Sequence, residues 1–189
     1  MRNTKSRGIA VALAVVGVAI VYSGCSSSEP TDTPGVERLG EFILRQQGPE
    51  LWTVLGYRFA ASTLGDEWLI LEVGLSSPNG QNSRVEREGV SVRTPSGETI
   101  PLATQAEFAE AYGVLRSTLR QADVNRDPLD YFPPNRIECG INFFAAPGEA
   151  IVFDQVTLND QRGCYGRLFF KVPGGIQSGR WVFNIDLAE

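Results

Sequence analysis

Apolar and polar residues alternate over short stretches of this chain, which is the pattern of strands that bury one face. The clearest stretch is Trp68–Leu75, in which Leu69, Leu71, Val73 and Leu75 fall on one face. Turn residues separate such stretches, and the predicted strands are Leu39–Gln46, Trp52–Phe59, Trp68–Leu75, Val90–Thr94, Glu98–Leu102, Ile137–Ala145, Ala150–Leu158, Tyr165–Val172 and Arg180–Leu187. About nine short strands at this spacing predict an all-β fold, an antiparallel β-sandwich.

Two stretches depart from regular alternation. In Trp52–Phe59 the apolar face changes around Gly56, which predicts a bulge or bend within the strand. Ser76–Gly89 is polar and contains a turn sequence at Pro78–Gly80, so we predict an exposed loop there.

One segment, Thr104–Ala122, has the period of a helix instead of a strand. Its apolar stripe consists of Phe108, Ala111, Leu115 and Leu119. Thr104 and Glu107 fit a capping box at its start. We predict one α-helix inserted near 104–122, which either covers an edge of the sheet or presents a surface to a partner.

The N-terminus has the pattern of an export signal. Three cations within Met1–Arg7 precede Gly8–Tyr22, an uncharged run shorter than the ~20 apolar residues of a membrane-spanning helix. The run ends in Ser23, Gly24 and Cys25, and here the sequence resembles a bacterial lipoprotein signal peptide. The resemblance implies cleavage before Cys25 and lipidation of Cys25. An ordinary cleaved signal and an uncleaved anchor helix are the alternatives.

This interpretation divides the chain into three parts. Residues 1–24 form the signal peptide, residues 25–36 a flexible tether, and residues 37–189 a single β-sandwich domain. Ser26–Gly35 contains no apolar residue, so it has nothing to bury in a core. The expected location is the bacterial cell envelope, at the outer membrane or the periplasmic face, with lipid on Cys25 holding the protein to the membrane.

Composition excludes several classes of function. Three of the 17 basic residues would leave with the signal, so 14 basic residues would face 22 acidic ones. This acidic balance, with no basic run, argues against nucleic acid as a partner. The chain has 0 histidines, which removes Ser-His-Asp and Cys-His nucleophiles and histidine-based metal sites. We therefore expect no enzyme activity and no cofactor.

Cys139 and Cys164 are the two cysteines that remain once Cys25 is lipidated. Two cysteines in an oxidising compartment normally pair, so we predict a structural disulfide. A redox pair is the alternative, but the two residues lack Cys-x-x-Cys spacing and have no neighbouring histidine or lysine to lower a thiol pKa.

A weak calcium motif follows the predicted helix. Its candidate oxygen donors are Asp123, Asn125, Asp127 and Asp130. Pro128 occupies the position of the glycine in an EF-hand loop, and Pro134 the position of the bidentate glutamate. Helix-end and turn chemistry explains the same residues, so we assign no metal site.

Other side chains suggest weaker alternatives. Glu107 and Glu110 share a helix face and could form an acid/base pair, although such a face is usually only solvated. Tyr131 and Phe132 lie in a proline-rich connector, where they either form a sticky surface or pack the loop onto the sandwich. Tryptophans can stack on sugars or fill a core, and the chain has Trp52, Trp68 and Trp181.

Three segments support a family comparison. Glu67–Val73, Arg93–Glu98 and Gly166–Pro173 occur in an order that looks like the immunoglobulin-like, telokin-like domains of bacterial lipoproteins. The resemblance covers roughly Trp68 to Leu187. It implies a fold and a location but no reaction and no catalytic residues.

The sequence therefore predicts a lipid-anchored envelope protein that acts as a non-catalytic binding or scaffolding module, with another envelope protein as its partner. The alternative is a glycan- or calcium-binding module of the cell surface. An enzyme that uses only carboxylates is the third hypothesis.

Overall fold

The computed structural model describes residues 29–30, 35–78, 80–124, 126–134, 136–149 and 151–188. Its strands are β1 (Glu29–Pro30), β2 (Val36–Gly40), β3 (Ile43–Gln47), β4 (Trp52–Gly56), β5 (Trp68–Ser76), β6 (Asn82–Arg93), β7 (Thr99–Pro101), β8 (Ile137–Gly140), β9 (Gln155–Asn159), β10 (Arg162–Lys171) and β11 (Val182–Leu187). Its helices are α1 (Arg58–Ser62) and α2 (Gln105–Val124). Cys25 and Asn125 lie outside the described residues, as do the whole predicted signal and most of the predicted tether.

The strands form two sheets, which confirms the predicted all-β class. Sheet A has seven strands in the order β1-β2-β3-β4-β5-β10-β8. Sheet B has four strands, with β11 on one side of β6 and β7 and β9 on the other. The prediction of a purely antiparallel sandwich is wrong at one place, because β8 pairs with β10 in parallel. The chain reaches β10 from β8 by way of β9 in the other sheet, so the two strands are not joined by a hairpin.

The main core lies between the two sheets. Strand β5 contributes the alternate residues Leu69, Leu71, Val73 and Leu75, as the alternation in the sequence predicts. Val85 of β6 and Phe170 of β10 are fully buried in the same cluster. Trp181 and Phe183, at the last strand, are only half-buried and pack at the border of this core.

Helix α2 covers the outer face of sheet A. Phe108 and Leu115 are buried against Ile70 of β5 and Phe169 of β10. The predicted helix and its apolar stripe are confirmed, but the helix lies over the face of the sheet and not along its edge. Strands β5 and β10 are thereby buried on both faces, which explains why they contain apolar residues in succession. Within the described residues no helix is both long and apolar enough to cross a membrane.

The two predicted departures from regular alternation need correction. The expected loop Ser76–Gly89 is mostly strand, because β6 begins at Asn82. Ser83 takes an inward position there, since its hydroxyl donates to the Glu50 carbonyl oxygen at 2.7 Å and accepts from Ser77 at 2.8 Å. The predicted bulge or bend at Gly56 is absent, because β4 ends at Gly56 and α1 begins two residues later.

Other predicted strands have different bounds. Leu39–Gln46 is a hairpin of β2 and β3, whose turn is formed by Glu41 and Phe42. Ile137–Ala145 is strand only to Gly140, and Ala150–Leu158 becomes strand only at Gln155. Glu29–Pro30, inside the predicted tether, pairs with β2.

Candidate functional site: an apolar cleft between the two sheets

Strand register places apolar side chains on a part of sheet A that sheet B does not cover. Leu44 pairs with Leu55, and Leu55 pairs with Val73, so all three point to the inner face. Val73 is fully buried, whereas Leu44 and Leu55 are only half-buried. Arg38 pairs with Leu44 and continues this inner row towards the sheet edge. Sheet A is wider than sheet B, and the excess width leaves an apolar surface.

The opposite wall comes from the edge of sheet B. Phe183 of β11 pairs with Val92 of β6, so both side chains share the inner face of this sheet. Trp181 precedes β11 and its Nε1 donates to the Gln177 carbonyl oxygen at 2.9 Å. This bond folds residues 176–181 into a wall beside the strand.

A third side of the cleft is formed by α1 and the loop that follows it. The Gly65 amide donates to the Ile176 carbonyl oxygen at 2.9 Å, and the Ile176 amide donates to the Asp66 carbonyl oxygen at 2.9 Å. Gly175 has a φ of +87° and lies so close to Gly65 that a Cβ atom would collide with the Gly65 carbonyl. The two loops are therefore fastened together, and they hold Leu64 at the mouth with 57% of its surface exposed.

We call this space the inter-sheet cleft, with a volume of about 480 Å³. Its lining residues are Arg38, Leu44, Leu55, Tyr57, Ala60, Ala61, Leu64, Leu69, Leu71, Val92, Ile176, Gln177, Ser178, Gly179, Arg180, Trp181 and Phe183. A volume of this size is typical of small-molecule sites. Among these lining residues two are cationic and none is acidic.

The predicted disulfide is present between Cys139 of β8 and Cys164 of β10. The two residues are direct partners in the parallel pairing, with their Cα atoms 4.4 Å apart. Cys164 is 1% exposed and belongs to the main core. The bond therefore fastens the edge strand β8 to its neighbour β10, at a position that belongs to the main core.

The calcium candidates separate to different partners. The Asp123 carboxylate forms an ion pair with Arg167, with Oδ1 2.8 Å from Nη2. The Asp127 carboxylate accepts two hydrogen bonds from the Arg58 guanidinium, from Nη2 to Oδ1 at 2.7 Å and from Nε to Oδ2 at 2.9 Å. Within the part of the chain that the structure describes, no group of three or more acidic or cysteine side chains could hold a metal ion.

Asp130, the fourth calcium candidate, instead accepts a hydrogen bond from the Tyr165 hydroxyl at 3.3 Å. Burial and the neighbouring carboxylate raise the pKa of Tyr165 to about 12, because both disfavour the phenolate. Phe132 is 9% exposed and packs on Val54 and Tyr165, with Tyr131 beside it. The connector therefore packs onto the outer face of sheet A.

Glu107 and Glu110 line a shallow groove beside α2 with Asp66, Glu67 and Lys171. The Thr104 amide donates to the Glu107 carboxylate at 2.8 Å, and the Glu107 amide donates to the Thr104 hydroxyl at 3.1 Å. These bonds confirm the capping box. The Thr104 amide and the Thr104 hydroxyl both donate to the Glu107 carboxylate, and these two bonds lower the pKa of Glu107. Such a carboxylate is stabilised in its ionised form and is poorly suited to act as a general acid.

The three tryptophans do not form one stacking surface. Trp68 packs near α2, Trp52 packs near the connector, and Trp181 packs at the inter-sheet cleft. The guanidinium of Arg136 lies 5.0 Å from the Trp52 ring centroid, so one face of that ring is already in contact.

Sequence reasoning missed the inter-sheet cleft. The half-buried residues that form it lie in predicted strands and look like ordinary core positions. The only sequence signal is the run Gln177–Arg180, a polar, glycine-containing segment next to an aromatic strand. No family model, curated protein or solved structure matches this chain.

Proposed function

We propose that this protein is a lipid-anchored protein of the bacterial cell envelope that acts as a non-catalytic binding or scaffolding module, with the inter-sheet cleft as its binding site. One observation carries the binding role: the cleft has apolar walls, a volume of about 480 Å³ and only cationic charges in its lining. The two-sheet arrangement supports the immunoglobulin-like class that the resemblance implies.

The anchor rests on the sequence around Cys25. It is tested by labelling cells that produce the full precursor, the Cys25→Ser variant or the Ser26→Ala control with radioactive palmitate. We expect the wild type and the control to incorporate the label and the Cys25→Ser variant to incorporate none. Absence of label from all three proteins, or equal labelling of all three, would contradict the anchor.

The binding role is tested by melting temperature in the presence of a small-molecule extract of the envelope. Ala61 lines the cleft from the exposed side of α1, so Ala61→Trp fills its mouth. Ala106 is an exposed helical alanine that does not line the cleft, and Ala106→Trp is the control. The extract should stabilise the wild type and the control but not Ala61→Trp. No stabilisation of any of them would remove the binding role.

The glycan- and calcium-binding alternative has less support. A glycan site usually presents an aromatic surface, but here the tryptophans lie in three separate clusters. The calcium candidates Asp123 and Asp127 face arginines, which would repel a cation.

A further inference from the structure

We propose that the inter-sheet cleft binds an extended segment of another protein, which adds to β11 as a further strand of sheet B. This inference rests on the proposed function, because it names the class of partner that the same site binds. It follows from the direction of the backbone groups of β11, from the shape of the space beside this strand and from the charge at one end of that space.

The hydrogen bonds of β6 show which way the backbone of β11 points. The Val90 carbonyl oxygen of β6 accepts from the Leu102 amide at 3.0 Å, on the side of β7. Successive residues of a strand direct their backbone groups to opposite sides, so Ser91 directs its groups to β11. Ser91 stands directly opposite Asn184, and these two residues therefore form a hydrogen-bonded pair.

The neighbours of Asn184 in β11 point the other way. The N–H and C=O groups of Phe183 and Ile185 are directed away from β6, towards the space beside β11. Among the described residues no strand pairs with β11 on that side, where it forms the edge of sheet B. Such an edge is a template for another strand, because each outward-directed residue presents a donor and an acceptor.

The space beside β11 is as long as a strand. A second cavity, with a volume of about 470 Å³, adjoins the inter-sheet cleft at Phe183, which lines both. On sheet A the paired Leu44 and Leu55 line the cleft. The next pair on the same face, Gln46 and Thr53, lines the second cavity. The two cavities therefore follow one another along β11, and we call them together the β11 furrow. A strand of 6 residues, the length of β11, spans about 20 Å.

The floor of the β11 furrow determines which side chains the partner carries. Stacked sheets lie about 10 Å apart, so a strand added to β11 directs alternate side chains onto the inner face of sheet A. At Leu44 and Leu55, which are only half-buried, those side chains meet a hydrocarbon surface. Burial of apolar groups there is favourable, while the other side chains of the added strand point away from sheet A. The partner segment therefore alternates apolar and polar residues.

Two carboxylates mark one end of the β11 furrow. Glu50 and Asp186 are exposed and line the second cavity, and the described residues around that cavity include no lysine or arginine. Antiparallel pairing is the more stable arrangement per residue, and it places the N-terminal end of the added strand at the Leu187 end of β11. Opposite charges favour association and fix the register of a complex. Lysine or arginine therefore precedes the alternating residues of the partner.

The test uses the peptide Lys-Lys-Val-Thr-Val-Thr-Val, acetylated and amidated at its ends, and the protein extracted from its membrane fraction in detergent. We expect saturable one-to-one binding by calorimetry. Replacement of both lysines by glutamate should weaken binding by about tenfold. No binding of the lysine peptide would overturn the proposal, and equal binding of the glutamate peptide would overturn the assignment of the partner's charge.

Backbone methylation of the peptide tests the added strand most directly. Residues directly opposite each other share a face, so the valines, which face the floor of the furrow, are also the residues that bond to Phe183 and Ile185. N-methylation of the first two valines removes these donors and should weaken binding by about tenfold or more. N-methylation of the two threonines adds the same groups on the outward edge and should leave binding unchanged. Equal effects of the two modifications would overturn strand addition.

A variant of the protein locates the docking edge. Ile185→Pro removes the outward-directed amide of Ile185, whereas the bonds to β6 come from the neighbouring residues. It should weaken binding of the lysine peptide by about tenfold, and the Ile185→Val control should preserve binding. Unchanged binding to the Ile185→Pro protein would overturn β11 as the edge. If this variant does not fold, the methylated peptides decide the question on the unaltered protein.

The two proposals fail in different ways. If the lysine peptide does not bind but the envelope extract still stabilises the protein in a manner that Ala61→Trp removes, then the strand partner is wrong and the binding role stands. If neither the peptide nor the extract has an effect, both proposals are wrong. Formation of dimers that Ile185→Pro prevents would assign the edge to a second copy of the chain and overturn a separate partner.

Discussion

Replacing Phe108 with alanine should lower the free energy of unfolding by about 4 kcal/mol, because such truncations in cores cost about 3–5 kcal/mol. Phe108 is 3% exposed and is the aromatic centre of the packing between α2 and sheet A. Its ring centroid lies 4.6 Å from that of Phe169 and 5.3 Å from that of Phe144. The truncation removes these contacts and leaves a cavity under the first turns of the helix.

The matched control is Val114→Ala in the same helix. Val114 is 81% exposed, so its truncation should change the free energy of unfolding by no more than about 0.5 kcal/mol. Urea unfolding of the oxidised protein, followed by circular dichroism and tryptophan fluorescence, measures both values. Phe108→Leu keeps most of the apolar volume and should cost under about 1.5 kcal/mol, which provides a measurable variant if the alanine protein does not fold.

The reasoning would be refuted if Phe108→Ala cost less than about 1 kcal/mol, the average effect of an arbitrary substitution. Helix α2 would then not be the structural cover of sheet A. Its apolar stripe would be available to a partner, which is the alternative that the sequence leaves open.

Three further predictions concern the disulfide, the helix cap and the buried phenol. Replacing Cys139 and Cys164 together with serine should lower the free energy of unfolding by about 3–4 kcal/mol, because the disulfide closes a loop over a separation of 25 residues and so restricts the unfolded chain. A loss under about 1 kcal/mol in urea unfolding would contradict this. The folded pKa of Glu107 is lowered, so its stabilising effect is present above the unfolded pKa and is lost as pH falls through the folded pKa. The Glu107→Gln variant should therefore have a flatter stability–pH curve on the acid side than the wild type. Tyr165, with a pKa of about 12, should give a late phase in an absorbance titration, above the ordinary tyrosine value of about 10. Because the folded state holds this proton more tightly, the contribution of Tyr165 to stability falls as pH rises from about 10 to about 12. A Tyr165→Phe protein that keeps the full late phase would count against this.

Local rules predicted the elements whose partners are close in sequence. The capping box of Thr104 and Glu107 is a contact over three residues, and the alternation in Trp68–Leu75 needs only one buried face. Both are therefore readable from the sequence alone. The disulfide was predictable because only two cysteines follow Cys25.

Where the sequence-based prediction was wrong, contacts between residues distant in sequence determine the structure. Ser83 reads as a loop residue, but its hydroxyl bonds to Ser77 and to the Glu50 carbonyl, which permits a buried position in β6. Nothing in the local pattern reveals that partner 33 residues away. The parallel pairing of β8 with β10 likewise depends on how the chain crosses between sheets.

The inter-sheet cleft was not predictable because it exists only where sheet A extends beyond the narrower sheet B. Leu44 and Leu55 belong to sheet A, Phe183 to sheet B, and Ile176 to a loop between them. Each residue has an ordinary apolar environment in its own element. Only the strand order places them around a common space.

The most direct test of the proposed function is the intact mass of the protein extracted from its native membrane fraction, measured before and after reduction. We predict a chain that begins at Cys25 and carries diacylglyceryl and acyl groups, and that gains two hydrogens when the bond between Cys139 and Cys164 is reduced. A mass that retains the residues before Cys25, or one that lacks lipid, would contradict the lipid-anchored envelope protein. Cys25 would then be a third thiol, and the location of the protein would have to be inferred anew.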